Sequence, residues 1–316
     1  MEVANENENE NDKYNQATVN IGMIGHVAHG KSTVVKCLSG VHTVRFKKEM
    51  ERNITIKLGY ANAKIFRCTR CPRPACFQSS GSGAPNCIPC KHCGQPMELR
   101  RHVSFVDCPG HESFMATMLN GATVMNAAIL LIAANEECPQ PQTLEHLAAI
   151  DKMGLEYVIV LQNKVDLVTP SVARQQRDTI AKLMADTSAG GNVPIIPVSA
   201  QSGLNMDVLC EYLSERVPKP VRQTEASLRM TIVRSFDINK PGTEWQRLSG
   251  GVVGGTVMRG TLRLGQNVCI LPGMLAEEGG GHVPIKSRVI SLCTEGISLS
   301  TGIRSQSRSR SNRTLS

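Results

Sequence analysis

Residues Gly25-His26-Val27-Ala28-His29-Gly30-Lys31-Ser32 fit the pattern G-x-x-x-x-G-K-[ST], and their flanks decide what that pattern means. The run Val19-Asn20-Ile21-Gly22-Met23-Ile24 before it reads as a strand, and Val34-Val35-Lys36-Cys37-Leu38 after it reads as the start of a helix. Strand, glycine-bearing loop and helix in this order constrain the fold closely. The loop N–H groups and the positive end of the helix then face outward together and form a cradle for phosphate oxygens. In that cradle Lys31 neutralises phosphate charge and the Ser32 hydroxyl reaches Mg2+. A glycine-rich loop matching by accident is the competing account, and the strand before and helix after argue against it.

The rest of the chain supports a fold of this kind. A length of 316 residues with 41% hydrophobic content allows two domains, each with a core. Residues 1–17 are polar and acidic, too poor in apolar area to offset chain entropy, and are expected to be a disordered tail. Strand-like runs at 103–106, 127–133, 158–161 and 193–198 alternate with helical patterns at 144–153, 172–184 and 206–216. That alternation predicts an α/β domain over 18–220, with a doubly wound, mostly parallel sheet and helices on both faces. Val217-Pro218-Lys219-Pro220-Val221 interrupts it. Beyond lie Gly-punctuated strand-like runs at 228–234, 251–258, 261–271 and 283–292, which predict an all-β barrel domain over 225–293. Residues 294–316, with Arg304, Arg308, Arg310 and Arg313 among serines, are expected to be a disordered basic tail.

Composition excludes some classes. The most apolar run, 127–134, is far too short to span a bilayer, and the N-terminal stretch has no apolar segment, so neither membrane nor secretion is expected. A cytoplasmic location follows, and with it a reading of the 12 cysteines as metal ligands or buried thiols rather than disulfides. A net charge of +8 fits a nucleic-acid partner and a solvated basic surface equally well.

Three further motifs follow the phosphate loop in fixed order. Asp107-Cys108-Pro109-Gly110 closes a strand at the edge where a parallel sheet presents ligands. There Asp107 can hold Mg2+ through water and the Gly110 N–H can meet the terminal phosphate, with His111 placed to orient an attacking water. Asn163-Lys164-Val165-Asp166 ends another strand. An ionised Asp166 accepts two parallel N–H donors, which guanine supplies and adenine does not. Asn163 and the Lys164 stem would complete the purine pocket, and Ser199-Ala200-Gln201 would bring a backbone N–H to the guanine carbonyl. With Ala28, His29, Gly30, Lys31, Ser32, Thr33 and Gly110, these form the expected nucleotide-binding set. Singly each motif is weak; their order on successive strand ends is the signal.

Six cysteines fall between Cys68 and Cys93. Cys68-Thr69-Arg70-Cys71 and Cys90-Lys91-His92-Cys93 have the spacing of a four-thiolate zinc site, which would clamp an insert at about 66–98 that is rich in Pro, Ser and Gly. Cys87-Ile88-Pro89-Cys90 is also C-x2-C, so Cys87 could replace Cys93. Cys76 remains unassigned, and a remnant knuckle without metal is the bland alternative.

GHVAHGKSTVVKCLSGVHTVRFKKEMERNITIKLGYANAKI, DCPGHESFMATMLNGATVMNAAILLIAANEECPQPQTLEHLAAI and RSFDINKPG resemble the gamma subunit of eukaryotic and archaeal translation initiation factor two, a translational GTPase related to elongation factor Tu. The resemblance runs over residues 19–292. It implies GTP and GDP as ligands, hydrolysis of GTP, and delivery of methionyl initiator tRNA to the small ribosomal subunit. It also implies alpha and beta subunits, nucleotide-exchange factors and GTPase-activating factors as partners, and a zinc knuckle between the switches. Arg52-Asn53-Ile54-Thr55-Ile56 would be the first switch, with Thr55 joining Ser32 and Asp107 around Mg2+, and 107–111 would be the second. Elongation factor Tu relatives carry Asp where this chain has Ala28, which favours the initiation-factor branch and implies slow intrinsic turnover. The family continues with the rest of its second domain and a third barrel, so this chain reads as C-terminally truncated, with an incomplete barrel and an unpaired strand edge. A gamma-like chain that holds nucleotide or partner subunits without delivering tRNA, and a zinc-dependent nucleic-acid module, are the alternatives.

Overall fold

The computed structural model describes residues 16–43, 55, 58–155, 157–187, 190, 192–221, 223–247, 250–276, 281–294, 297–299, 301–302 and 307–313. Of the expected first switch only Thr55 is among them; Arg52, Asn53, Ile54 and Ile56 lie outside, as do residues 1–15 of the expected N-terminal tail. The chain divides into two compact units, one of them Ala17–Pro220 and the other containing Val221–Ser316. Ala17, placed in the tail by composition, is fully buried.

The first unit carries an eight-stranded sheet: β1 Val19–Gly25, β2 Gly59–Arg67, β3 Phe77–Gly81, β4 Cys87–Pro89, β5 Pro96–Asp107, β6 Ala127–Ala133, β7 Val158–Asn163 and β8 Ile195–Pro197. Its helices are α1 Lys31–Ser39, α2 Met115–Ala122, α3 Pro141–Lys152, α4 Pro170–Ala185 and α5 Met206–Glu211. The strand order is β3-β2-β5-β1-β6-β7-β8, with β4 paired to β5. From β5 to β8 the strands run parallel. Every residue of β1, β6 and β7 is buried, which is why these strands read as continuous apolar runs.

Beside these parallel strands β2, β3 and β4 pair antiparallel, so the sheet is mixed. β2 hides in the sequence because it buries Asn62 and Lys64 among its alanines. The Lys64 ammonium donates to Ala84 O at 2.6 Å and Asn86 Oδ1 at 3.0 Å, which offsets its burial. Phe66, Phe77 and Phe105 fill the core with Ile21 and Met23, and α1 buries Val34, Val35 and Leu38 in the same cluster. The register aligns the carboxyl ends: Met23 lies beside Asp107, Gly25 beside Leu131, and Ala133 beside Asn163. The loops that follow β1, β5, β6 and β7 therefore emerge at one edge, where such sheets bind ligands.

The second unit contains β9 Arg229–Phe236, β10 Val252–Arg259, β11 Leu262–Arg263, β12 Asn267–Leu275, β13 His282–Thr294, β14 Ile297–Ser298, β15 Thr301–Gly302 and β16 Ser307–Arg313. Strands β12-β13-β16-β10-β9 form an antiparallel sheet with β14 on β13, and β11 pairs with β15. The expected strand over 261–271 is split by a turn, in which Gly265 takes φ 77° and the Gln266 N–H meets Arg263 O at 3.3 Å. Val257, Leu262, Val289, Leu292 and Leu299 form the small core. Within 294–316, expected as a disordered tail, Ser307–Arg313 form β16, which pairs with both β10 and β13. Alternating Ser and Arg have the period of a strand, and backbone pairing on two sides supplies what apolar area does not. Among the described residues β12 and β9 stand at the two ends of this strand order.

Candidate functional site

The loop between β1 and α1 is shaped by close backbone approach. A Cβ on Gly30, whose φ is 96°, would fall 2.3 Å from Asn163 Nδ2, so only glycine fits there. Lys31, at the start of α1, turns its buried ammonium back onto the loop and donates to Gly25 O at 2.8 Å and His26 O at 2.7 Å. Burial pulls its pKa down to about 8, with Asp107 and the Cys108 thiol opposing the fall. A Cβ on Gly110 would lie 2.5 Å from that ammonium, so the end of β5 closes directly over the phosphate loop.

Three oxygen side chains converge beside it. Ser32 Oγ donates to Asp107 Oδ2 at 2.7 Å and lies 3.3 Å from Thr55 Oγ1. Thr43 also donates to Asp107 Oδ2, a contact that no motif foretells. Two hydroxyls and a fully buried carboxylate are a hard donor set of the kind Mg2+ takes, usually with several waters retained. A cavity of about 320 Å3 opens here, lined by Val27, Ala28, Gly30, Lys31, Ser32, Thr33, Thr55, Gly110, His111 and Lys164. The phosphate and Mg2+ residues expected from sequence thus share one cavity, except His29 and Asp107, which are buried and do not line it. His111 borders it, its Nδ1 accepting from the Ser113 N–H at 3.2 Å.

The base-side residues are brought to the same sheet edge, but of these only Lys164 lines the cavity. Asn163 is buried and used as a tie: its Nδ2 donates to His29 O at 2.9 Å and its Oδ1 accepts from the Ala200 N–H at 3.1 Å. Lys164 adopts a left-handed φ of 61°, and Val165 donates its N–H to Val198 O at 3.3 Å. Asp166 is thereby left exposed in a short turn, Val165–Leu167. Ser199 is buried and exchanges backbone hydrogen bonds with Leu204, which leaves Gln201 exposed at the loop tip. Sequence reasoning missed Glu136 and Gln176. Glu136 Oε2 lies 3.1 Å from His29 Nε2, while Gln176 Nε2 donates to Ala133 O at 2.9 Å and Glu136 O at 2.8 Å. Neither belongs to a motif, and only the tertiary packing reveals them.

Cys68, Cys71, Cys90 and Cys93 meet with all four sulfurs within 4.8 Å of one another. The Cys68–Cys93 and Cys71–Cys90 sulfurs are 3.5 and 3.7 Å apart. A tetrahedron with Zn–S bonds of about 2.3 Å has edges of about 3.8 Å, so the set fits zinc closely. Backbone N–H groups of Arg70 and Cys71 lower the pKa of the Cys68 thiol, and those of His92 and Cys93 lower that of Cys90 to about 6. Cys87, the sequence alternative, lies outside the cluster, and Cys76 is buried apart from it.

Comparison with known proteins agrees with this geometry. The chain is 57% identical over 285 residues to eukaryotic translation initiation factor 2 subunit gamma of Schizosaccharomyces pombe, covering 89% of this chain and 64% of that protein. It is 56% identical to eukaryotic translation initiation factor 2 subunit 3 of Drosophila melanogaster, covering 89% and 60%. It therefore spans less than two thirds of the length of these relatives. A bacterial selenocysteine-specific elongation factor shares the fold, with a TM-score of 0.70 at 21% identity over 95% of this chain and 43% of the other. Elongation factor SelB of Methanococcus maripaludis, solved with a GTP analogue, gives 0.68 at 20% identity, covering 95% and 52%. Among the described residues no helix is long and apolar enough to cross a membrane. Residues 16–219, well over half of the chain, match the family described as elongation factor Tu GTP binding domain, and the chain belongs to that family.

Proposed function

We propose that this chain binds GTP and GDP as the nucleotide-binding part of an initiation-factor gamma subunit and hydrolyses GTP to GDP and phosphate. The convergence of Ser32, Thr55 and Asp107 beside the loop that Lys31 braces carries the reading. Mg2+, held by Ser32 and Thr55 directly and by Asp107 through water, would neutralise charge on the terminal phosphates. Lys31 would exchange its contacts with Gly25 O and His26 O for phosphate oxygens, and Gly110 would offer its N–H to the last phosphate. His111 would orient the attacking water, the positioning that phosphoryl transfer chiefly demands. Ala28, His29, Gly30 and Thr33 would wrap the phosphates. Asn163, Lys164, Val165 and Asp166, with Ser199, Ala200 and Gln201, would enclose guanine, Asp166 accepting from its ring N–H and amine.

By similarity to its relatives the chain would serve initiation in the cytoplasm, carrying methionyl initiator tRNA to the small ribosomal subunit. Alpha and beta subunits and the exchange and activating factors would be its partners, and Cys68, Cys71, Cys90 and Cys93 would hold a structural zinc. Since the chain spans only part of its relatives' length, a second reading has nucleotide bound without tRNA delivery. One experiment tests both: initiator tRNA binding with GTP and with GDP, beside hydrolysis with ribosomal subunits present. GTP-dependent tRNA binding supports the factor; nucleotide binding without tRNA affinity supports the second reading; failure to bind either nucleotide overturns both.

A further inference from the structure

Glu136 follows β6 and belongs to no nucleotide motif, yet both of its carboxylate oxygens face residues of such motifs. Oε2 lies 3.1 Å from Nε2 of His29 in the phosphate loop, and Oε1 lies 3.8 Å from Nζ of Lys164 in the base loop. His29 is only 1% exposed, so no water competes for its ring. Its Nδ1 lies 2.9 Å from Leu131 O, and a carbonyl oxygen only accepts, so Nδ1 carries a hydrogen. Nε2 faces the carboxylate across 3.1 Å, and burial, opposed by Leu131 O and by Glu136, lowers the pKa of the ring. Glu136 is itself fixed: Gln176 Nε2 donates to its carbonyl at 2.8 Å, and Gln162 Nε2 holds Gln176 Oε1 at 2.8 Å. The backbone of Glu136 is thus braced by β7 and α4, and its carboxylate contacts both loops at once.

We infer that Glu136 is a positioning residue, a latch that holds the phosphate loop to the base loop and prolongs the stay of a bound guanine nucleotide. The inference rests on the nucleotide-binding reading proposed above. A guanine nucleotide is gripped at one end by the loop of His29 and at the other by the loop of Lys164, so its release requires these two loops to separate. Hydrolysis of the terminal phosphate does not. Glu136 accordingly acts on release of GDP and GTP alike and leaves the chemical step alone.

The test is release of fluorescent GDP and of a non-hydrolysable GTP analogue from the whole chain, followed by stopped flow. Glu136→Ala releases both nucleotides faster by on the order of tenfold, the effect of losing one charge-assisted hydrogen bond, with association unchanged. Glu136→Gln is isosteric and keeps the fold; its amide reaches His29 but loses the Lys164 charge pair, so its rate lies between the two. Release at the wild-type rate in both variants overturns the latch, as does slowed association with release unaltered. Amide exchange over residues 26–33 in nucleotide-free protein, faster in both variants than in wild type, decides the latch independently. A wild type that binds no guanine nucleotide would sink the functional reading instead.

Discussion

Ser32 Oγ donates to Asp107 Oδ2 across 2.7 Å, joining the first turn of α1 to the last residue of β5. This contact couples the two motifs that sequence places 75 residues apart, and it does so through the oxygens that would surround Mg2+. Asp107→Asn keeps the shape of the contact and removes its charge. Since Asp107 would reach the cation through water, the variant should bind Mg2+·GTP on the order of 10–100-fold more weakly. Nucleotide titrations with and without Mg2+ check this; equal Mg2+ dependence in both proteins would show that Asp107 is no part of the cation site.

The four-sulfur cluster makes a discriminating prediction about cysteines. Cys93→Ser removes a member of the cluster, whereas Cys87→Ser does not. Native mass spectrometry should find one zinc per chain in wild type and in Cys87→Ser, and none in Cys93→Ser. Chelation should lower the unfolding midpoint by about 10 °C, because metal binding to such a site is folding free energy. The reverse pattern, with zinc lost only from Cys87→Ser, would move the site to the other C-x2-C pair.

The parts of the fold legible in the sequence are those where one physical demand acts alone. β6 reads off as 127–133 because a strand buried on both faces tolerates only apolar residues. The phosphate loop reads off because glycine is forced at Gly30 by the approach of Asn163. β2 does not read off, because Lys64 is buried there through partners remote in sequence and Asn62 is buried in the same strand. The site shows the same division. Ser32, Asp107 and Asn163 stand in motifs with fixed spacing, while Thr43, Glu136 and Gln176 enter through single hydrogen bonds that leave no spacing to find. At β16 two local signals compete: its polarity reads as a tail, while its Ser/Arg alternation has the period of a strand.

His146 supplies an acid sensitivity. It is 1% exposed on α3, and burial, reinforced by Lys31, His26 and His29, lowers its pKa to about 4. An unfolded chain binds the proton near pH 6.5, so between that value and about 4 the unfolded state holds more protons than the folded one. Stability is therefore full above pH 6.5 and falls as the pH drops through this window, by about 2 kcal/mol between pH 7 and pH 5. His146→Leu fills the site without a titrating group. Urea unfolding at the two pH values should show wild type losing about 2 kcal/mol more than the variant, and parallel losses would place the sensitivity elsewhere.

Ala28 takes a left-handed φ of 63° on the wall of the cavity. Asp occupies that region more readily than Ala, so Ala28→Asp should fold without added strain. It would also return to the loop the carboxylate that elongation factor Tu relatives carry, within the cavity where His111 would orient water. A second polar group there narrows the orientations open to the attacking water, and positioning is where phosphoryl transfer gains most of its rate. Single-turnover GTP hydrolysis by Ala28→Asp, in the absence of any activating partner, should exceed the parent rate by on the order of tenfold, about 1.4 kcal/mol of barrier. An unchanged rate would show that the alanine does not limit turnover.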